Sequence, residues 1–339
     1  MTETSQFTHG YALLVGVGAD LTITIDDAVA IRDILTDPNR CAYPGQNVRL
    51  LAGENATRAN ILGGMEWLAG QVDNDAAATA VVYFSGHGGY MPEYHLVPFG
   101  YNPQDIDGTA ISGDEFSAKL DALNSQKLLV LLDCCHAGGM ADIKAVGYAK
   151  SPIPPQIDDI LTRGSGRAVI ASSRKDEVSY TSLPYSHFTL ALREGLSGYG
   201  AADRDGYAYL TDVALYVGRM VANRTRDKQH PILKLSAADN FPIAYYAGGA
   251  STPKALPESS SHPTPYEAID IDMVAGYRRI LKRYQQNLLV VEERMSGFYD
   301  QAAVPLDLER TKDGILRKIE QIETKIEEQA QASGWSPHP

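Results

Sequence analysis

The chain has 339 residues, a formal net charge of -12 and 44% hydrophobic residues. That is enough apolar material for a sizeable core, and more length than one compact domain usually needs. The acidic balance argues against general affinity for nucleic acid or anionic membrane, since both require a basic surface, and suits basic substrates instead. Three cysteines, with no CxxC pair, exclude a disulfide framework and a structural zinc site. The N-terminus "MTETSQFTHG" has no signal-peptide pattern, and no apolar stretch reaches membrane-span length. A reducing cytoplasm is the expected compartment.

In chain order, "YALLVGV" (11–17) reads as a strand and "DDAVAIRDIL" (26–35) as a helix. "VRLL" (48–51) is a short strand, and "TRANILGGMEWLAGQV" (57–72) a helix with a threonine cap. "TAVVYFSGHGG" (79–89) and "KLLVLLDCC" (127–135) are strands apolar on both faces, with the capped helix "SGDEFSAKLDAL" (112–123) between them. "RAVIASS" (167–173) is a further strand, followed by a helix in "YSHFTLALREGL" (185–196). The next helix, "YLTDVALYVGRMVANRT" (209–225), is expected to be capped by Thr211, and "QHPILKLS" (229–236) reads as a late strand. Apolar strands alternating with helices predict an α/β sandwich: a mostly parallel sheet with helices on both faces and chemistry at the carboxyl ends of its strands.

The first body is expected over 1–246, with a long irregular loop at 138–166. A Gly/Ser/Pro-rich linker follows over 247–265. Beyond it, over 266–332, Ile280, Tyr284, Leu288, Val291 and Met295, then Ile315, Ile319, Ile322 and Ile326, recur at helical spacing. They predict a helical hairpin too small for its own core, which should dock on its own body, on a copy of itself or on a partner protein.

Two strands end in chemistry-bearing residues at the same rim of the sheet. A cysteine nucleophile needs a base and oxyanion donors. Cys135 ends one strand and His87 the other, 48 residues upstream. Gly88 leaves its N–H approachable, and the Cys135 N–H is a second oxyanion donor. Asp133 lies two residues before Cys135, so strand alternation gives the two one face, and a carboxylate there attracts a cation. Cys134 reads as a buried residue of the opposite face, His136 as a structural or cleft-lining residue rather than a second base, and the remaining histidines as surface.

The pairing of Phe84-Ser85-Gly86-His87-Gly88 with Asp133-Cys134-Cys135-His136-Ala137-Gly138 resembles the caspase-like cysteine peptidases, specifically bacterial caspase homologues and metacaspases. Ala137 stands where that family has serine. The resemblance covers roughly residues 8–245 and implies a three-layer caspase-like sandwich. It implies catalysis by a His87–Cys135 dyad, with Cys135 as nucleophile because it directly precedes the histidine. It makes Asp133 the floor of a pocket for Arg or Lys before the cut, with Asp27 of "DDA" as a second acid. It also makes 138–166 a processing loop, where Lys144, Lys150 and Arg163 are self-cleavage sites for such a specificity. No cofactor is required, and calcium activation stays open: "ADRDGYAYLTD" (202–212) departs from a calcium loop and reads better as a turn. The tail loosely resembles hairpins that recruit partners in bacterial defence and signalling effectors. An inert scaffold acting through its C-terminal helices, or another acyl transfer on the same dyad, are the alternatives.

Overall fold

In this computed structural model the described residues are 6–90, 93–135, 161, 166–174, 177, 179–182, 184–235, 240–250 and 252. Leu288, Lys312, Leu316, Arg317, Ile319, Glu320, Glu323 and Thr324 are described as isolated helical positions. The chain divides into two compact units, Met1–Leu256 and Pro257–Pro339. Apart from those few positions, the hairpin expected over 266–332 lies outside the described residues. So do His136, Lys144, Lys150 and Arg163, and Cys135 is described as a backbone position only.

The elements of the first unit are β1 (Gly10–Gly16), α1 (Ile23–Thr36), β2 (Val48–Ala52), α2 (Arg58–Val72), β3 (Thr79–Tyr90), β4 (Tyr94–Val97), α3 (Ile106–Thr109), β5 (Ile111–Ser112), α4 (Gly113–Asp121) and β6 (Lys127–Cys135). There follow β7 (Arg167–Ala171), β8 (Thr181–Ser182), β9 (Tyr185–Ser186), α5 (His187–Leu196), β10 (Tyr207–Tyr209), α6 (Leu210–Arg224), β11 (Ile232–Leu235) and β12 (Pro242–Tyr245). The main sheet runs β11-β7-β6-β3-β1-β2. Its five central and right-hand strands are parallel, while β11 pairs with β7, and β4 with β3, in antiparallel sense.

The apolar strands have two covered faces, and strict alternation sorts their side chains between them. Val81 and Tyr83 of β3, with Leu129 and Leu131 of β6, join Ile31 of α1, Leu192 of α5 and Val217 of α6 in one core. Val82 and Phe84, with Val130 and Leu132, join Met65 of α2 and Leu120 of α4 in the other. Each such large side chain removed from water contributes about 2 kcal/mol, so a one-residue slip of β3 or β6 would be prohibitive. The register that sets the site is therefore held by both cores at once. No helix among the described residues is long and apolar enough to cross a membrane.

The helix starts follow their caps, with one correction. Thr57 accepts from the Asn60 N–H, Ser112 from Glu115 and Ser186 from Thr189. The helix around 209–225 is not capped by Thr211, which lies inside its first turn. Its free N–H groups are met from across the fold: Asn240 Oδ1 accepts from the Thr211 N–H at 3.0 Å and Phe241 O from the Leu210 N–H at 3.1 Å. A cap delivered by a distant segment leaves no trace in the local sequence.

Candidate active site

β3 and β6 run side by side to the same rim. Their register pairs Ser85 with Asp133, Gly86 with Cys134 and His87 with Cys135. The expected base and the expected nucleophile thus occupy neighbouring backbone positions, where a parallel ladder holds strands about 4.8 Å apart. His87 is 8% exposed. Both carboxylate oxygens of Asp20, in the turn after β1, lie 3.0 Å from its Nε2.

Cys134 is buried and belongs to the α2–α4 core, as alternation requires. Burial, then the nearby Asp133 charge, pushes its thiol up to about 12, against a lowering contact from Tyr94, whose hydroxyl lies 3.7 Å from the sulfur. Burial also raises the Cys41 thiol. Neither is a thiolate at neutral pH. Gly88 has a packing cause as well as the expected one. A Cβ there would stand 2.6 Å from Tyr94 Oη and 3.3 Å from Cys134 Cβ and Sγ.

Asp133 and Asp27 come together in a buried polar nest. Asp133 is fully buried and accepts from Ser186 Oγ at 2.5 Å, Ser179 Oγ at 3.1 Å and Thr189 Oγ1 at 3.4 Å. Asp27, on α1, is also buried; it accepts from the Ser186 N–H at 2.9 Å and from Ser85 Oγ at 3.3 Å. Both acids sit at the N-terminus of α5, where free N–H groups and the helix dipole favour negative charge. Desolvation nevertheless wins. Burial, then the Asp133 charge, holds Asp27 well above the ordinary carboxylate range, and burial raises Asp133 against its hydroxyl donors. Burial thus favours the neutral form of both acids. Among the described residues no lysine or arginine pairs with either acid.

The loop that brings Ser179 is itself pinned. Gln229, fully buried, donates to Ser172 O at 2.7 Å and Ser179 Oγ at 3.1 Å and accepts from the Tyr180 N–H at 2.8 Å. Sequence reading missed Asp20, Ser179, Thr189 and Gln229, which carry no spacing signal. Ser186 was missed as well: the segment 185–196 read as a helix with no cap assigned. Two histidines expected on the surface are not there. His95 is 5% exposed on β4. His187 is largely enclosed, and burial, then Arg224, lowers it to about 4. His95 is in β4, flanked by β3 and β5, and its Nδ1 lies 2.8 Å from Glu93 O, while His187 opens α5.

Asp205 of the "ADRDG" stretch is engaged locally, accepting from the Tyr207 N–H at 3.0 Å and Tyr209 OH at 2.8 Å, while Gly206 turns the chain at φ 92°. Among the described residues no group of three or more His, Cys, Asp or Glu side chains is arranged to hold a metal ion.

The chain has counterparts among known proteins. A family model described as the caspase domain matches residues 9–242. No curated protein matches the chain. A crystal structure of protein GSU0716 from Geobacter sulfurreducens is similar at a TM-score of 0.46 and 16% identity, covering 70% of this chain and 98% of that one. The family match spans every strand of the main sheet and both rim motifs, so the chain belongs to the caspase-domain family of cysteine peptidases.

Proposed function

We propose that this protein is a cysteine endopeptidase that cleaves after arginine or lysine. His87 takes the proton of Cys135, and the thiolate attacks the peptide carbonyl. The N–H groups of Gly88 and Cys135 hold the oxyanion, and water hydrolyses the thioester. The register that sets His87 opposite Cys135 supports the dyad. The basic preference is supported by a buried pair of carboxylates, Asp133 and Asp27, with no cationic partner among the described residues. An arginine or lysine side chain would supply the missing positive charge and favour the ionised carboxylates.

The same specificity makes Lys144, Lys150 and Arg163 sites of self-cleavage. The C-terminal helices then serve as a recruitment module in a cytoplasmic signalling or defence pathway. Neither role needs a cofactor, and calcium acts, if at all, as an activator.

The experiment is a panel of fluorogenic peptides ending in Arg, Lys or Asp, run with and without calcium, with Cys135→Ala as control. Expected is turnover of the Arg and Lys peptides alone, lost in the control. Turnover of the Asp peptide, or none by wild type, would overturn the reading. N-terminal sequencing of purified wild type tests self-cleavage, and a fully active intact chain counts against it.

A further inference from the structure

Between β1 and α1 the chain makes a tightly held turn. The Val17 N–H donates to Ser85 O at 3.0 Å and the Leu21 N–H to Gly18 O at 2.9 Å. Thr24, fully buried, accepts from the Gly18 N–H and donates to Leu21 O, both at 2.8 Å. Gly18 and Ala19 both lie in the left-handed region, at φ 72° and φ 54°. Glycine accepts this conformation, but alanine is strained by it. The turn places both Asp20 oxygens 3.0 Å from His87 Nε2. Packing does not demand an acid here, since the Asp20 side chain is 41% exposed. A strained backbone that serves a polar contact with a rim histidine points to chemistry.

An imidazole has two distinct nitrogens, and the partner of one decides the state of the other. A carboxylate only accepts, so Nε2 carries the hydrogen and donates to Asp20. The lone pair is then on Nδ1. We propose that Asp20 is a positioning residue that holds His87 as the Nε2–H tautomer, making Nδ1 the atom that takes the Cys135 proton. This rests on the reading of His87 as the base.

The step balances as follows. The S–H bond of Cys135 breaks and an N–H bond forms on Nδ1, giving thiolate and imidazolium. The sulfur pair forms the S–C bond while the carbonyl π pair moves to oxygen. On collapse the C–N bond breaks, and Nδ1 returns the proton to the leaving amine. Throughout, Nε2–H stays on Asp20, and the imidazole it holds becomes cationic only after proton transfer. Its contribution therefore belongs to the reacting state and should fall on kcat rather than KM.

The test uses the full chain with Asp20→Ala, Asp20→Asn and Asp20→Glu, and His87→Ala as control. Two readouts are taken: turnover of an Arg peptide, and the rate at which iodoacetamide alkylates Cys135, followed by peptide mass spectrometry. For Asp20→Ala the expected result is a kcat about 10- to 100-fold lower, with KM within about twofold. Alkylation should slow about tenfold, as in His87→Ala. Asp20→Glu should recover part of both, Asp20→Asn should fall between, and thermal melting should stay unchanged. Wild-type kcat and alkylation in Asp20→Ala would overturn the proposal, as would a raised KM at unchanged kcat or faster alkylation. If wild type cleaves no peptide, alkylation decides alone: slowing upholds the role of Asp20 and no change rejects it. If Cys135 reacts no faster than buried Cys134 in wild type, both readings fall.

Discussion

Ser186 Oγ donates to Asp133 at 2.5 Å while the backbone N–H of the same residue donates to Asp27 at 2.9 Å. One helix cap thus holds both acids of the buried pair, and the same hydroxyl accepts from the Thr189 N–H at 2.9 Å. Helix initiation and the electrostatics of the rim are one structure.

The carboxylate pair should cost stability at neutral pH. Both acids are raised in the folded state, so the native protein binds more protons than the unfolded chain. Stability is then fullest below the ordinary carboxylate value, about 4, and is lost as pH rises toward the raised folded values. Asp27→Asn should flatten that slope and stabilise at pH 7 by roughly 1 kcal/mol or more, while cutting kcat/KM on Arg peptides about 100-fold or more. Thermal melts from pH 4 to 8 check the first. A slope unchanged by the substitution would contradict it.

Ser186→Ala removes a cap and a donor to a buried acid together. The cap is worth about 1 kcal/mol, and a hydrogen bond to a charged group about 1.5–3 kcal/mol. The loss should therefore exceed that of Ser112→Ala, whose hydroxyl only caps α4. Urea denaturation midpoints of the two variants decide, and equal shifts would show that the link to Asp133 contributes nothing.

The adjacent cysteines should separate cleanly. A thiol at about 12 is ionised in roughly one molecule in 10^5 at pH 7. Cys134→Ala should keep peptide turnover within about threefold and lose about 1 kcal/mol by emptying a core position, whereas Cys135→Ala should be inert.

Gly88→Ala places a Cβ 2.6 Å from Tyr94 Oη. The strain should cost about 1–3 kcal/mol. In the double variant with Tyr94→Phe the clashing oxygen is gone, and a part of that loss should return. A double variant as unstable as the sum of its singles would place the strain elsewhere, on the Cys134 side.

Asn240→Ala should weaken α6 by about 0.5–1 kcal/mol, while Thr211→Ala changes stability by less than about 0.5 kcal/mol. Guanidinium melts of both variants distinguish the distant cap from the local one.

What could be read along the chain was what periodicity and caps determine. Two-sided apolar strands such as Leu128–Leu132 announce a covered parallel sheet, and Thr57 and Ser112 announce helix starts, because those signals act over a few residues. The motif spacing brought His87 and Cys135 to one rim, since strands of a parallel sheet end on one side. Contacts between segments far apart in sequence were decided by the tertiary structure alone. Asp20 reaches His87 across 67 residues, Ser186 ties Asp27 to Asp133, and Asn240 caps a helix 29 residues upstream. These bonds satisfy polar groups wherever packing happens to bury or strand them, and packing is a property of the assembled layers rather than of any one stretch.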